Sequence, residues 1–371
     1  MKYLSVNTYP MLSINTSKLL HNAEKVLQDC KKQGIELAAV IKGFNGIEEA
    51  ALQFSKAGYA QIASSRIDQI IDARNFGIKG PFMLIRIPML SEIKNLVEYV
   101  DISLNSEISI IEAINDECIA QKKLHGIVLM VDLGDLREGF WDKSELIRVA
   151  QKIENNMLGL KLMGVGTNLG CYGSIKPTEE KMNELCQVAE EIERIIGRRL
   201  EIISGGATSS YPLVLNRTMP KKINHLRIGE GIILAYDLQD LWGLDMAGLY
   251  QDVFTFKAEV VEIKEKPTHP VGEIFIDGFG HKPAYEDRGI RKRAILATGK
   301  LDYAIHDKIF PKNIGMEVIG SSSDHTIVDI QDCKDNLTVG DILEFNISYP
   351  SLMYLTNSRY VNIEIVEGHY E

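Results

Sequence analysis

The chain has 371 residues, of which 45% are hydrophobic and 25% charged, as in a globular protein with a large core and unlike disordered or fibrous chains. Its 51 acidic and 41 basic residues give a net charge of -10, which repels a polyanion and argues against a nucleic-acid partner. The five scattered cysteines form no C-x-x-C pair, and no stretch has the length and apolarity of a membrane span. We therefore expect a cytoplasmic protein without a membrane partner, a disulfide framework or a metal site.

From about residue 11 to residue 240, short apolar runs alternate with amphipathic stretches of helical period. This pattern is typical of parallel strands joined by helices. The predicted strands are residues 37–41, 60–64, 82–86, 100–104, 126–132, 160–167, 200–204 and 223–228. Eight such units favour an α/β fold, a (β/α)8 TIM barrel. Polar residues such as Lys42, Thr167 and Arg227 close the runs, so their side chains are expected at the mouth where barrel enzymes carry out their chemistry.

After residue 250 the helical period gives way to alternating, β-branched segments separated by glycine and proline. Such segments indicate a mainly antiparallel β domain. The predicted strands are residues 255–264, 273–277, 293–299, 325–330, 341–348 and 360–367. We therefore expect two domains, a barrel over residues 11–240 and a β-rich domain over residues 250–371 that also takes in residues 1–10.

Three features of the predicted barrel mouth together indicate a pyridoxal phosphate site, in which the cofactor supplies an electron sink. Lys42 ends the first strand, where a desolvated amine can form a Schiff base, although a lysine that simply extends toward solvent also fits. Thr208 and Ser209 follow the seventh strand in GGATSS, where many barrels bind phosphate, although a glycine turn with a serine cap also fits. Arg227 ends the eighth strand and can donate to a pyridine nitrogen without protonating it, although a salt-bridged strand end also fits.

Several segments carry a likeness to one enzyme family: AAVIKG, MVDLGDLREGF, MGVGTNLG, GGATSS, RIGEGI and ISYPSLMYL. They resemble motifs of the alanine racemase family of fold-type III pyridoxal phosphate enzymes. LRIPMLSE, SLNSE, GTNLGCYG, EDRGIRKRAIL and GSSSDH resemble its ornithine racemase-like branch. The resemblance implies that Lys42 holds the cofactor, that Arg137 lies near its phenolic oxygen and the substrate carboxylate, and that Asn168 lies against its ring. It also implies cofactor contacts by Thr208, Ser209, Arg227, Gly229, Glu230 and Tyr349.

The chain departs from the family pattern at three places. Met130 stands where many alanine racemases have a modified lysine that braces the arginine. Gly43 and Phe44 follow Lys42 where the family has a phosphate-binding tyrosine nearby. Phe279 replaces the tyrosine that serves alanine racemase as its second base. The brace, that phosphate ligand and that base must therefore be absent or supplied otherwise.

A racemase that works through two faces needs a proton acceptor opposite Lys42. The candidates are His281, Tyr285, Asp324 and His325. We favour Asp324 with His325, because their segment resembles the family's substrate-carboxylate loop. In the resembled fold this region reaches the site from the partner subunit, which implies a homodimer with shared active sites.

The sequence thus predicts a pyridoxal phosphate-dependent racemase that interconverts L- and D-amino acids, with ornithine as the first candidate substrate and lysine or alanine as alternatives. Asp135, Glu230 and Asp324 are candidates to pair with a distal ammonium group. Two alternatives stay open, a non-catalytic carrier of the cofactor and a fold-type III lyase or decarboxylase. The β domain counts against the carrier, and the lack of an H-x-C ligand pair counts against a metal-assisted lyase.

Overall fold

The computed structural model describes residues 8–368, which contacts divide into two compact units. One unit covers Lys18–Tyr250, and the other combines the described residues before it with those from Gln251 onward. Residues 1–7 of the predicted β-rich domain lie outside the described residues. The first strand, β1 (Met11–Asn15), belongs to the second unit.

The first unit is a closed barrel of eight parallel strands. They are β2 (Glu36–Val40), β3 (Gln61–Ser64), β4 (Phe82–Leu84), β5 (Ile102–Asn105), β6 (His125–Met130), β7 (Leu160–Gly166), β8 (Ile202–Ser204) and β9 (His225–Ile228). The barrel closes where β9 pairs with β2, from Glu36 beside His225 to Ala39 beside Ile228. All eight predicted barrel strands are confirmed, with ends that shift by one or two residues.

Helices and short turns precede, connect and follow the barrel strands. The helices are α1 (Thr16–Lys31), α2 (Glu48–Ala57), α3 (Ile67–Asn75), α4 (Ile93–Tyr99), α5 (Ile108–Gln121), α6 (Lys143–Asn156), α7 (Glu179–Ile196), α8 (Tyr211–Leu215), α9 (Glu230–Ile233) and α10 (Tyr236–Asp240). In α7, the Thr178 side chain accepts the first-turn N–H of Lys181 at 3.3 Å, and Gly197 ends the helix at φ +75°. These are the usual start and stop signals of a helix.

Apolar side chains fill the barrel interior. They are Ala38, Val40, Ala63, Met83, Ile102, Leu104, Val128, Met130 and Ile202. Pairs two residues apart, such as Ala38 with Val40, share this core because strand side chains alternate in direction. Ser204 lies two residues after Ile202 on β8 and therefore points to the same interior. The polar groups that end the strands therefore lie above an apolar barrel core.

The second unit is a mainly antiparallel sheet. With β1, its strands are β10 (Phe254–Pro267), β11 (Ile290–Leu296), β12 (Ile309–Pro311), β13 (Glu317–Ser321), β14 (Thr326–Asp329), β15 (Ile342–Ile347) and β16 (Asn362–Val366). The sheet runs β12-β15-β10-β11-β14-β13, and β1 pairs antiparallel with β10 and parallel with β16. Two helices, α11 (Lys300–Tyr303) and α12 (Tyr349–Leu355), accompany it. The predicted fold class, a TIM barrel followed by a mainly antiparallel β domain, is confirmed.

One strand prediction in the second unit is wrong. Residues 273–277 form no strand, and Phe275 and Ile276 are exposed. Their apolar pattern resembles a strand, but a strand also needs a neighbour with which to pair its backbone. The other five predicted strands of this unit are confirmed, whereas β1, β12 and β13 were not predicted.

Candidate active site

Lys42 stands at the carboxyl end of β2, at the start of a single 3-10 turn. Its side chain reaches solvent at the open barrel mouth, yet protein surrounds most of it, and this desolvation lowers the pKa of the amine. The nearby Cys171 thiol raises that pKa, whereas the cations Arg137 and Arg227 lower it. The net lowering leaves more of the amine in its neutral, nucleophilic form at neutral pH. Lys42, Arg137 and Arg227, three predicted site residues, therefore lie together.

Arg227 is almost wholly buried at the end of β9. One guanidinium nitrogen, Nη2, donates to the carbonyl of Thr167 at 2.8 Å, and the other, Nη1, donates to Ser204 Oγ. Burial lowers the pKa of Arg227 to about 10, so the group stays cationic at neutral pH. Its partners are a carbonyl and a hydroxyl, which fix its position without neutralising its charge.

Arg137 lies in the loop after β6 and is paired with its sequence neighbour. Its Nη2 donates to Glu138 Oε1 at 2.6 Å, and its Nε donates to Oε2 of the same carboxylate. This pair, followed by smaller contributions that include a hydrogen bond to Cys171, raises the pKa of Arg137 above its ordinary value. A substrate carboxylate that binds Arg137 must therefore compete with Glu138.

Asp135 fastens a second loop over this end of the barrel. Its buried carboxylate accepts the backbone N–H groups of Gly170, Cys171, Tyr172 and Ile175 at 3.1 to 3.4 Å. The loop after β7 is thereby held against the loop after β6. These amides use most of the acceptor capacity of Asp135, which counts against it as the partner of a distal ammonium group.

Asn168 follows Thr167 at the end of β7. The Oγ1 of Thr167 donates to the carbonyl of Val131 at 2.9 Å, while the Thr167 carbonyl accepts from Arg227. The Nδ2 of Asn168 is buried and has no hydrogen-bond partner within residues 8–368. An unpaired buried donor is costly unless a ligand or water accepts from it.

The loops after β8 and β9 meet, as a shared phosphate site requires. The Gly231 N–H donates to Thr208 Oγ1 at 3.2 Å, and a Cβ at Gly231 would lie 3.0 Å from Thr208 Cγ2. A Cβ at Gly229 would lie 3.2 Å from Val40 Cβ. Ser209 turns its hydroxyl to the carbonyl of Leu169 at 2.7 Å. The two glycines therefore permit the close approach of backbone from two loops.

Glu230 lies in the same turn and is buried. Its Oε1 accepts the N–H of Asp237 at 3.1 Å, while its Oε2 has no hydrogen-bond partner in the described part of the chain. Burial, followed by the charge of Asp237, raises the pKa of Glu230 to about 7. Near neutral pH this carboxyl group is therefore only partly ionised.

These observations together fit pyridoxal phosphate. Lys42 offers an amine of lowered pKa, and Lys42, Arg137 and Arg227 give the mouth a positive charge that suits an anion. The orphaned Nδ2 of Asn168 offers a further donor, and Gly231 lets its loop approach Thr208 closely. The residues present therefore match a cofactor that carries a phosphate, a carbonyl group and a ring nitrogen.

Three predicted site residues, Asp324, His325 and Tyr349, belong to the second unit. Asp324 and His325 are exposed in the turn between β13 and β14. Ser323 Oγ donates to the Asp324 carboxylate at 2.6 Å, and the His325 N–H donates to Ser322 Oγ at 3.2 Å. Tyr349 is half-buried at the start of α12. The site roles of Asp324, His325 and Tyr349 remain predictions.

The segment that holds Phe279 is also exposed. Lys300 Nζ lies 4.0 Å from the centre of the Phe279 ring, and His281 Nδ1 lies 3.8 Å from Asp277 Oδ1. Arg288 and Arg291 of the basic run that follows pair with Asp329 at 3.5 and 2.6 Å. These arginines therefore contribute to the sheet rather than forming a free basic patch.

Sequence reasoning missed several residues at the mouth. Glu138 and Cys171 both contact Arg137, but the Cys171 contact depends on how the loop folds. His225 was missed although it carried a signal. It lies two residues before Arg227 on the same strand, so strand alternation places both polar side chains on the inner face.

Two further properties concern residues 8–368 as a whole. Within this range no three histidine, cysteine, aspartate or glutamate side chains come together as metal ligands. None of the helices described there combines the length and the apolar character that crossing a membrane requires.

Comparison with known proteins gives one family. A family model described as "Alanine racemase, N-terminal domain" matches residues 14–237. The chain is 38% identical to an ornithine racemase of Acetoanaerobium sticklandii over 361 residues, 96% of this chain and 100% of that protein. It is 38% identical to a lysine racemase of Thermotoga maritima over 353 residues, 95% of this chain and 97% of that protein. An alanine racemase of Clostridium difficile 630 shares the fold, with a TM-score of 0.72 at 16% identity over 98% of this chain and 97% of that one. The chain is therefore a racemase that belongs to the alanine racemase family.

Proposed function

We propose that this racemase depends on pyridoxal phosphate and interconverts L- and D-amino acids, with ornithine as the preferred substrate and lysine or alanine as further ones. The observation that carries the proposal is the meeting of Lys42, Arg137 and Arg227 at one barrel mouth. Its substrate range rests on the similarity to an ornithine racemase and a lysine racemase.

The barrel supplies most of the groups that would hold the cofactor. Lys42 would bind its carbonyl carbon, Arg227 would donate to its ring nitrogen, and Arg137 would lie by its phenolic oxygen and the substrate carboxylate. The remaining contacts would come from Asn168, Thr208, Ser209, Gly229, Glu230 and Tyr349. When bound, the cofactor supplies an electron sink for the charge left by the departing α-proton.

Lys42 serves as one base, since its lowered pKa leaves an amine that can accept the α-proton. A second base on the opposite face then returns a proton and inverts the centre. Asp324 and His325 are the candidates for this role. By resemblance they come from the partner subunit, so the active form is a homodimer with shared sites.

Arg227 limits what else the site can do. A guanidinium has only donors and holds its charge at neutral pH, so it can hydrogen-bond a ring nitrogen but not protonate it. The negative charge that forms on the substrate is then less fully delocalised. The weaker delocalisation of this charge favours brief proton exchange over slower side reactions such as decarboxylation.

A distal ammonium group needs an acidic partner that is ionised and accessible. Asp135 is occupied by four backbone amides, and burial keeps Glu230 partly protonated. Asp324 is exposed and is the remaining candidate of the three. The preference for ornithine or lysine over alanine would then depend on Asp324.

The test is incubation of L-ornithine, L-lysine and L-alanine with cofactor-loaded protein in D2O, followed by NMR and chiral analysis. Deuterium at the α-carbon together with the D-enantiomer is the expected result, and Lys42→Ala should abolish both along with the bound cofactor's absorbance. Deuteration without inversion would mean that no second base works. Exchange on none of the three substrates despite bound cofactor would favour the carrier, and CO2 release would favour a decarboxylase.

A further inference from the structure

A chain of three buried polar side chains runs beneath the barrel mouth. Arg227 Nη1 donates to Ser204 Oγ, and Ser204 Oγ lies 2.9 Å from His225 Nδ1. The backbone register brings Ser204 and His225 side by side on β8 and β9. Ser204, His225 and Arg227 are all at most 3% exposed. The catalytic scheme above uses only Arg227, so the two groups behind it have no assigned role.

The chemistry of the three groups limits the direction of their hydrogen bonds. A guanidinium can only donate, so Ser204 Oγ accepts from Arg227. The serine has one hydrogen, which it can donate to Nδ1 of His225 at 2.9 Å. In that arrangement the imidazole proton sits on Nε2, which has no hydrogen-bond partner among the described residues. Burial, followed by the nearby charge of Arg227, keeps the imidazole neutral.

We propose that His225 is a positioning residue, a neutral acceptor that orients the Ser204 hydroxyl so that its oxygen faces Arg227 and aims the guanidinium at the cofactor's ring nitrogen. The aim at the cofactor rests on the proposed function, whereas the hydrogen-bond direction does not. A serine alone can turn its hydrogen toward the guanidinium and lose the contact. With His225 as a fixed acceptor, that rotamer is disfavoured and one geometry is selected.

A second serine–histidine pair in the same barrel provides a matched control. Ser103 Oγ lies 2.8 Å from His125 Nε2, and both residues are at most 1% exposed. Asn105 Nδ2 donates to the same serine at 2.9 Å, so the chain ends in an amide and not in an arginine. His125 therefore shares the burial of His225 and its serine contact without the link to Arg227. Its other ring nitrogen, Nδ1, lies 3.1 Å from the carbonyl of Val100.

The first experiment uses the cofactor-free protein with 15N-labelled histidine. The NMR signal that disappears in His225→Asn assigns His225 among the eight histidines. The expected spectrum shows Nε2 protonated and Nδ1 unprotonated from pH 5 to 8, and Ser204→Ala should relax this preference. A proton on Nδ1 in the native protein would overturn the proposal.

The second experiment measures the cofactor's dissociation constant in the native protein and in His225→Leu, His225→Asn and His125→Leu. Loss of the acceptor in His225→Leu should weaken binding about tenfold, as for one buried hydrogen bond. His225→Asn keeps an acceptor near the Nδ1 position and should restore most of the affinity, while His125→Leu should leave it unchanged. Equal weakening in the two leucine variants, or none in His225→Leu, would overturn the proposal.

The two experiments separate two kinds of failure. If the native protein binds no pyridoxal phosphate, the proposed function fails, and the NMR spectrum still decides whether His225 orients Ser204. If the cofactor binds but the tautomer is the opposite one, the proposed function stands and the role of His225 falls. Melting curves of the cofactor-free variants verify that the two leucine substitutions leave comparable folded populations.

Discussion

Two buried imidazoles predict how the stability of the barrel falls in acid. Burial lowers the pKa of His125 to about 4 and that of His225 to about 3, whereas an exposed histidine titrates near ~6.5. Below that value the unfolded chain takes up protons that the folded barrel does not. The stabilisation by each neutral imidazole is therefore complete above pH ~6.5 and is lost as the pH falls toward its folded value.

The loss of stability at a given pH depends on how far that pH lies below the pKa of histidine in the unfolded chain. At pH 5, about 1.5 units below that value, each histidine costs about 2 kcal/mol at ~1.4 kcal/mol per unit, and at pH 7 almost nothing. Glu230 acts in the opposite direction, because burial raises its pKa to about 7 and the folded state then gains protons on acidification. The native curve alone therefore understates the loss caused by the two histidines.

Asparagine substitutions isolate the histidines. Urea unfolding followed by tryptophan fluorescence reports on the barrel, because Trp141 and Trp242 both lie in that unit. Between pH 7 and pH 5 the unfolding free energy of the native barrel should fall by about 2 kcal/mol more than that of His225→Asn or His125→Asn, and by about 4 kcal/mol more than that of the double variant. A difference that does not change with pH would refute the argument, since it would mean that the imidazoles titrate alike in both states.

Three further predictions concern the barrel mouth. Asp135→Asn replaces one of the two carboxylate oxygens that accept four backbone amides with an NH2 donor, so amide exchange in residues 170–175 should accelerate at least tenfold. The control Asp142→Asn, which makes the same change at a helix N-cap elsewhere, should leave that loop unchanged. Cys171 is exposed and should react with iodoacetamide faster than the buried cysteines, and bound cofactor should slow that reaction; equal rates with and without cofactor would place the thiol outside the site. If active sites are shared between subunits, equal mixtures of inactive Lys42→Ala and His325→Ala chains, refolded together, should recover about a quarter of native activity, since half the dimers would be hybrids with one intact site; no recovery would contradict shared sites.

The barrel could be predicted because its strands carry their own signal. In a parallel sheet covered on both faces the strands are continuous apolar runs, and all six residues of β6, for example, are buried. The strands of the second unit were harder to predict from the sequence. Residues 273–277 show a strand-like pattern but no strand, whereas β1 forms by pairing with β10 and β16, far along the chain. Local pattern cannot report such partners.

Some site residues could likewise be predicted from local pattern, whereas others depend on contacts that the pattern does not show. Lys42 and Arg227 could be found because each is a polar residue at the end of an apolar strand, and barrel topology brings all such ends to one mouth. The role of Asp135 could not be found, since it depends on a loop conformation that turns four amides toward one carboxylate. The link between Ser204 and His225 depends on strand register, which single-residue patterns do not fix.

The charge balance of the mouth connects its structure to its ligand. Lys42, Arg137 and Arg227 lie close enough for each arginine to lower the pKa of the lysine, and Glu138 is the acidic group near all three. A buried cation such as Arg227 that is held only by a carbonyl and a hydroxyl retains much of its desolvation cost. An anionic ligand relieves both this cost and the mutual repulsion of the cations. Binding of such a ligand should therefore stabilise the barrel, so if these cations hold the proposed cofactor, the cofactor-free protein should be the less stable form.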